Sequence, residues 1–78
     1  MYPVVISVVP QDDFTLLLVY DNNERKVFDM KPLLKQQPFN ALSDKNLFLK
    51  VKTSFDTIEW ENEIDIDPEY LYEKSKKV

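Results

Sequence analysis

The clearest pattern in this chain is a strict two-residue alternation of acidic and apolar side chains over residues 58–67. The acidic members hold odd positions and the apolar members even ones: Glu59, Glu61, Glu63, Asp65 and Asp67 against Ile58, Trp60, Ile64 and Ile66. Successive side chains of an extended chain point to opposite faces, so this period predicts a half-buried strand. Its acidic face is expected to point to solvent.

The alternation ends at Pro68, where the sequence predicts the start of a helix. Proline fits the first helical turn because its missing N–H would have no partner there. The side chain of Asp67 can accept hydrogen bonds from the backbone N–H groups that follow. On this helix Leu71 and Tyr72 are expected to pack on a sheet near Trp60.

Three apolar segments earlier in the chain predict strands at residues 4–9, 14–20 and 25–30. The first is rich in β-branched residues and lies between two prolines, which suit strand ends. The second and third flank a polar segment, which is typical of a hairpin. The chain has no glycine, and asparagine tolerates positive φ, so Asn22 and Asn23 are predicted to form a two-residue turn. That turn pairs Leu18 with Val27 and Leu17 with Phe28 on opposite faces of the sheet.

The first two strands carry consecutive apolar residues, so both faces of their sheet are predicted to be apolar. The C-terminal helix can cover one face. The other face is expected either to be an association surface or to be covered by a curled sheet or by the middle of the chain. The sequence leaves both alternatives open.

The middle segment, residues 31–47, is interrupted by two prolines and predicts a connection with short helical turns, one of them capped by Ser43 or Asp44. Residues 49–53 then alternate again and predict a second hairpin with residues 58–61, around a turn at Phe55 and Asp56. This register gives two ion pairs and one apolar pair: Lys52–Glu59, Lys50–Glu61 and Val51–Trp60.

These elements predict an α+β fold, a small and mostly antiparallel sheet of hairpins with a C-terminal helix packed on one face. At 78 residues the chain has room for a single domain, residues 1–78, which self-association would help to stabilise. The chain contains no cysteine and no histidine, which removes thiolate chemistry and the usual general base at neutral pH. The sequence therefore predicts a protein that is not an enzyme, with no catalytic residue and no cofactor.

The net charge of −4 argues against direct nucleic-acid binding, because phosphate repels an acidic surface. The first apolar run has no basic residues before it and polar residues behind it, so neither a secretory signal nor a membrane span is predicted. We therefore expect a cytoplasmic protein.

The acidic positions raise the question of a metal site. Same-face residues of a strand stand roughly 6.5–7 Å apart, too far to converge on one cation with oxygen ligands at about 2.3–2.6 Å. No metal site is therefore predicted, and the alternatives are a solvated face or the docking site of a basic partner. Glu59, Glu61 and Glu63 are the candidate partner-binding residues.

The chain also resembles a bacterial family, domain of unknown function 2442, over nearly its full length. The most distinctive matching residues are Ile58-Glu59-Trp60, Ile64-Asp65-Ile66, Pro68, Leu71-Tyr72 and Ser75. Earlier matches are Pro3, Val5, the segment 16–20, Phe28-Asp29, Phe39, Leu42 and Phe48. Asn23 and Glu63 depart from the pattern, since similar sequences often carry glycine there.

The resemblance implies a compact α+β domain without an assigned reaction, so no catalytic residue carries over. Relatives resemble stand-alone small proteins, modules attached to a helix-turn-helix domain, or members of pairs similar to toxins and antitoxins. We expect a non-enzymatic protein-interaction or regulatory module, antitoxin-like or transcription-associated. Its partner is expected to be a second copy, forming a homodimer, or a small neighbouring protein. The alternative is an accessory domain that binds a small ligand or a metal through the acidic positions and Tyr70 or Tyr72.

Overall fold

Two antiparallel sheets and two short helices make up the computed structural model, which describes residues 2–78. The strands are β1 (Val5–Pro10), β2 (Thr15–Tyr20), β3 (Arg25–Asp29), β4 (Lys52–Ser54), β5 (Thr57–Glu59) and β6 (Lys76–Lys77). The helices are α1 (Lys45–Phe48) and α2 (Pro68–Lys74), with 3-10 turns at Lys31–Leu33 and Phe39–Ser43. The main sheet has the order β1-β2-β3-β6, and β4 pairs with β5. The predicted α+β class is confirmed, with the first three strands within one residue of their expected ends.

The register of the first hairpin differs from the prediction by one residue. Leu18 pairs with Lys26 and Leu17 pairs with Val27, so the predicted pairs Leu18–Val27 and Leu17–Phe28 are wrong. The loop has three residues, 21–23, because the Tyr20 N–H donates to the Glu24 carbonyl at 2.9 Å. Asparagine at position 23 has φ 71° and forms the bulge that closes such a loop. The shift turns Lys26 toward the core face and Val27 away from it.

The same loop geometry recurs where the sequence predicted an uninterrupted strand. The predicted strand over residues 58–67 is wrong, because the chain reverses at residues 61–63 and Glu63 has φ 67°. The Trp60 N–H donates to the Ile64 carbonyl at 2.8 Å, and Asp65 forms an isolated bridge with Glu59. The sequence numbers of two residues that face each other across a three-residue loop differ by an even amount. Even-numbered residues therefore stay on the core side after the reversal.

One face of the main sheet forms the core. Leu16, Leu18 and Tyr20 of β2 are at most 1% exposed. Opposite them lie buried residues from the middle segment, α1, the second hairpin, the segment before α2 and α2 itself: Leu42, Phe48, Ile58, Trp60, Ile64, Ile66 and Leu71. The Trp60 indole N–H donates to the Phe48 carbonyl at 2.9 Å. The middle segment and α2 therefore cover the same face.

The other face of the main sheet carries apolar side chains that do not belong to this core. Val9 is 49% exposed, and Leu17, Val19 and Val27 are partly exposed. None of the four belongs to the core cluster or packs against it. The sequence left open whether the middle segment covers this face. It does not, because the middle segment packs on the core face together with α2.

The helix starts form as predicted. Asp67 lies directly before Pro68, the first residue of α2. One of its carboxylate oxygens accepts a hydrogen bond from the Tyr70 N–H at 3.0 Å. Asp44 caps α1 by accepting from the Asn46 N–H at 3.0 Å, which decides between Ser43 and Asp44. Within residues 2–78, no helix has the length and apolar character that crossing a membrane requires.

Candidate functional site

The β4–β5 hairpin presents an aromatic side chain to solvent. The predicted register is confirmed, with Lys52 opposite Glu59 and Ser54 opposite Thr57. This register leaves Phe55 and Asp56 as a two-residue turn, in which Phe55 has φ 53°. The Phe55 side chain is 98% exposed, so its ring contributes no packing to the fold.

A groove of about 460 Å³ lies between this hairpin and the start of α2. Phe55 stands at its rim, and four carboxylate residues line it: Asp56, Glu59, Asp65 and Asp67. The Thr57 hydroxyl donates to the Ile66 carbonyl at 2.6 Å, and this buried hydrogen bond joins β5 to the segment before α2. The groove is therefore formed by the fold, and all of its charged lining residues are acidic.

The structure separates the three residues predicted to bind a partner. Glu59 is partly buried on β5 and lines the groove. Glu61 and Glu63 lie in the exposed loop beyond it, because the chain reverses there. Glu61 forms the predicted ion pair with Lys50 at 3.7 Å. Within the described residues no second ion pair joins Lys52 to Glu59, so that prediction is wrong.

The remaining predicted pair of this hairpin, Val51 with Trp60, does not form as a ladder pair. Val51 belongs to the turn that ends α1, where its N–H contacts the Phe48 carbonyl at 3.4 Å. β4 therefore begins only at Lys52.

Like charges face each other in the groove. Glu59 and Asp65 occupy directly opposite positions of the bridge, an arrangement that costs stability in an antiparallel pair. A cation placed between them would relieve the repulsion. Residues 2–78 contain no cluster of three or more acidic, histidine or cysteine side chains arranged to hold a metal ion.

The family model described as "Protein of unknown function (DUF2442)" matches residues 5–77, nearly the whole chain. The chain belongs to this family. No curated protein and no solved structure matches it. Membership in DUF2442 confirms the resemblance and assigns no reaction.

The two tyrosines named as ligand candidates have different surroundings in this DUF2442 chain. Tyr70 is 40% exposed and lines a shallow cavity of about 420 Å³ with Leu33 and Phe39. Tyr72 instead packs edge-on against Tyr20, with 5.1 Å between ring centroids. Tyr70 is therefore the more accessible of the two.

Tyr72 belongs to a polar cluster that joins α2 to the loop before β3 and to β6. Its hydroxyl donates to a carboxylate oxygen of Glu24, which lowers the pKa of Glu24 and raises the pKa of Tyr72. The same carboxylate forms an ion pair with Lys77 at 3.5 Å. Burial raises the pKa of Tyr20 to about 12, with the nearby Ser75 side chain acting in the opposite direction. These contacts join elements distant in sequence, which is a structural role.

Sequence reasoning missed Phe55 as a site residue, although it placed the turn correctly. The available signal was a phenylalanine inside a two-residue hairpin turn, where asparagine or glycine is the usual choice. A large apolar side chain at such a position has no neighbouring strand to pack on.

Proposed function

We propose that this DUF2442 chain is a non-enzymatic protein-interaction module that binds a basic surface of another protein. The binding surface is the acidic hairpin end, defined as Phe55, Asp56, Glu59, Glu61 and Glu63. The observation that carries the proposal is the fully exposed Phe55 ring at the rim of a groove lined by carboxylates.

Phe55 supports a role in binding because its side chain makes no packing contribution to the fold. A non-glycine residue with φ near 53° is in the sparsely populated left-handed region, and its ring is exposed to water. Aromatic side chains are enriched among the residues that dominate binding energy in protein interfaces. The Phe55 ring is therefore the anchor of the proposed interface.

The charges around the anchor determine what kind of partner fits. Asp56 and Glu59 line the groove, while Glu61 and Glu63 extend the negative surface along the adjacent loop. A partner that presents lysine or arginine around an apolar pocket is complementary to this arrangement. Such charges mainly raise the association rate and select the partner.

The biological setting of the proposal follows the family resemblance. The partner is a small neighbouring protein, and the module is regulatory, either antitoxin-like or associated with transcription, in the bacterial cytoplasm. Self-association into a homodimer is a separate proposal, which concerns a different surface of the chain.

The test is a quantitative pull-down from native cells with the tagged chain, followed by binding measurements on the purified captured protein. We compare the wild type with Phe55→Asn and with the triple variant Glu59→Gln, Glu61→Gln, Glu63→Gln. Asparagine tolerates positive φ, so Phe55→Asn removes the ring without disturbing the turn. We expect at least tenfold weaker binding for both variants, and binding by the wild type that weakens as salt rises.

The matched controls are Leu49→Ala, which removes an exposed apolar side chain elsewhere, and Asp12→Asn with Glu69→Gln, which removes acidic charge elsewhere. Both controls should bind like the wild type. A captured protein that binds the Phe55→Asn and triple variants as tightly as the wild type would refute the proposed surface.

The second candidate function is an accessory domain that binds a small ligand or a metal. The cavity beside Tyr70 favours the ligand, because it joins apolar walls from Leu33 and Phe39 to polar groups from Gln36 and Asp67. A thermal-shift screen with metabolites and divalent cations tests it, with Tyr70→Ala as the control. A rise in melting temperature that Tyr70→Ala abolishes would support this function over the first.

A further inference from the structure

We infer that the uncovered face of the main sheet binds a second copy of the chain through an antiparallel two-fold contact. The open face, as we call it, consists of Val9, Leu17, Val19 and Val27, with Arg25 and Asp29 at the two ends of β3 and Lys76 of β6 beside Val27. It lies on β1, β2, β3 and β6, whereas the acidic hairpin end lies on β5 and the two turns next to it. The inference therefore does not depend on the partner proposed for the acidic hairpin end.

The centre of the open face is an apolar row that crosses three strands. Val9 of β1 pairs with Leu17 of β2, which pairs with Val27 of β3. Val19 lies beside this row, paired with Arg25. None of these side chains packs against the core, and the part of them that is still exposed can be covered only by another molecule.

Two opposite charges flank the row on β3. Arg25, Val27 and Asp29 alternate with core-facing residues, so they share the open face. Arg25 and Asp29 are four residues apart, about 13 Å along a strand, too far to pair within one chain. Their positions on either side of Val27 make this strand self-complementary.

A two-fold axis parallel to the apolar row brings these charges together. Such an axis places Val27 over its own copy and reverses the strand direction. Arg25 of one copy then lies over Asp29 of the other, and the reciprocal pair forms at the same time, as symmetry requires in an interface of this kind. A second copy therefore covers the apolar row and pairs both charges of β3. The same axis brings Lys76, the ladder partner of Val27, near its own copy, where this exposed side chain of the edge strand extends to solvent.

The charges are available for this contact. Among residues 2–78, no carboxylate lies within ion-pair distance of Arg25. Asp29 contacts Lys31 at 3.2 Å through one carboxylate oxygen, and its side chain remains 50% exposed. The second oxygen of Asp29 can accept from an arginine of the other copy.

The small size of the open face limits the strength of the association. Three strands over four or five residues give a footprint on the order of 200–300 Å², below the ~800 Å² per partner of a standard interface. We therefore expect a weak dimer with a dissociation constant on the order of 1 mM.

The test is sedimentation equilibrium of the untagged chain at concentrations up to roughly 1 mM. We use Arg25→Glu and Asp29→Lys, which reverse one charge each, alone and as an equimolar mixture. Each variant alone places like charges opposite each other in both reciprocal pairs. The mixture restores two opposite-charge pairs per dimer, because the introduced glutamate of one chain then faces the introduced lysine of the other.

We expect the wild type to associate with rising concentration, each single variant to stay monomeric, and the mixture to associate again. Phe55→Asn should associate like the wild type, which separates this contact from the acidic hairpin end. Lys35→Glu mixed with Asp12→Lys, both at exposed positions away from the open face, is the control pair and should match the wild type.

Three results would overturn the inference: a wild type that stays monomeric throughout, single variants that associate as the wild type does, or a mixture that stays monomeric. If Asp29→Lys does not fold by circular dichroism, Val27→Thr replaces it. That variant keeps the side-chain shape while making the centre of the row polar, and it should abolish association.

Discussion

The ammonium nitrogen of Lys26 donates a hydrogen bond to the Tyr72 carbonyl oxygen at 2.7 Å and lies 3.6 Å from the centre of the Tyr72 ring. Lys26 is only 6% exposed, and its contact joins β3 to the last turn of α2 across 46 residues of sequence. Carbonyl groups in the last turn of a helix have no partner within the helix and carry partial negative charge. A buried strand lysine therefore caps the C-terminal helix.

Replacing this lysine should weaken the attachment of α2. Lys26→Met keeps much of the aliphatic stem but leaves the Tyr72 carbonyl without its donor, so we expect a loss of about 1–3 kcal/mol in the free energy of unfolding. Urea denaturation followed by circular dichroism measures it. Lys35→Met, at an exposed position, is the control and should change stability by less than about 0.5 kcal/mol. Equal effects of the two variants would contradict the cap.

Replacing a residue that has positive φ with glycine should stabilise the fold where the original side chain makes no packing contact. Glu63→Gly should raise the free energy of unfolding by about 0.5–1 kcal/mol, because φ 67° suits glycine and is unfavourable for a residue with a Cβ. Asn62→Gly, one position earlier in the same loop and without positive φ, should lower it instead. Thermal unfolding of both variants distinguishes them, and a destabilised Glu63→Gly would show that this loop geometry is incorrect.

Phe14 also has positive φ, 63°, but glycine at this position should lower the free energy of unfolding. Its ring packs against Phe48, with 5.0 Å between centroids, and lies beneath the Lys45 ammonium. Phe14→Gly relieves the backbone and removes this packing, and we expect a net loss of about 1–3 kcal/mol. Chemical denaturation provides the value, and a gain in stability would mean that the ring contributes little to the core.

The single tryptophan links the second hairpin to the middle segment. Trp60→Phe deletes the indole N–H that contacts the Phe48 carbonyl and leaves a cavity, so it should cost about 2–4 kcal/mol. A domain of this size has only about 3–5 kcal/mol available from its core, so the variant should be largely unfolded at moderate urea. Tyr70→Phe, at an exposed position, should leave the urea midpoint nearly unchanged. A Trp60→Phe midpoint close to that of the wild type would contradict this linkage.

Acid should weaken the fold in part through Glu24. The hydrogen bond from Tyr72 lowers the pKa of Glu24, so its ionised form favours the folded state. This stabilisation is complete well above the unfolded pKa of about 4.3 and is lost as pH falls through the lower folded value. Glu24→Gln should flatten the dependence of stability on pH below about pH 5. Unchanged steepness in Glu24→Gln would exclude this carboxylate as the cause.

The alternation around Trp60 shows which features of residues 58–67 could be predicted from the sequence. It assigned the buried positions Ile58, Trp60, Ile64 and Ile66 correctly but missed the reversal at residues 61–63 and the partial burial of Glu59. The period of two reports only which face a side chain occupies, and a three-residue loop preserves that parity. The second hairpin was placed in the correct register because its turn has two residues, whereas the first hairpin was shifted by one because only Asn23 adopts positive φ.

The sequence by itself determined the α+β class, the positions of the first three strands, the capped start of α2 and most of the core-facing residues, because these depend on local periodicity and on the side chains next to each helix end. Only the tertiary structure decided that α2 and the middle segment cover the same face of the sheet. It also placed Phe55 in solvent and Lys26 at the end of α2. These features depend on contacts between residues far apart in sequence, whose pairing no local pattern encodes.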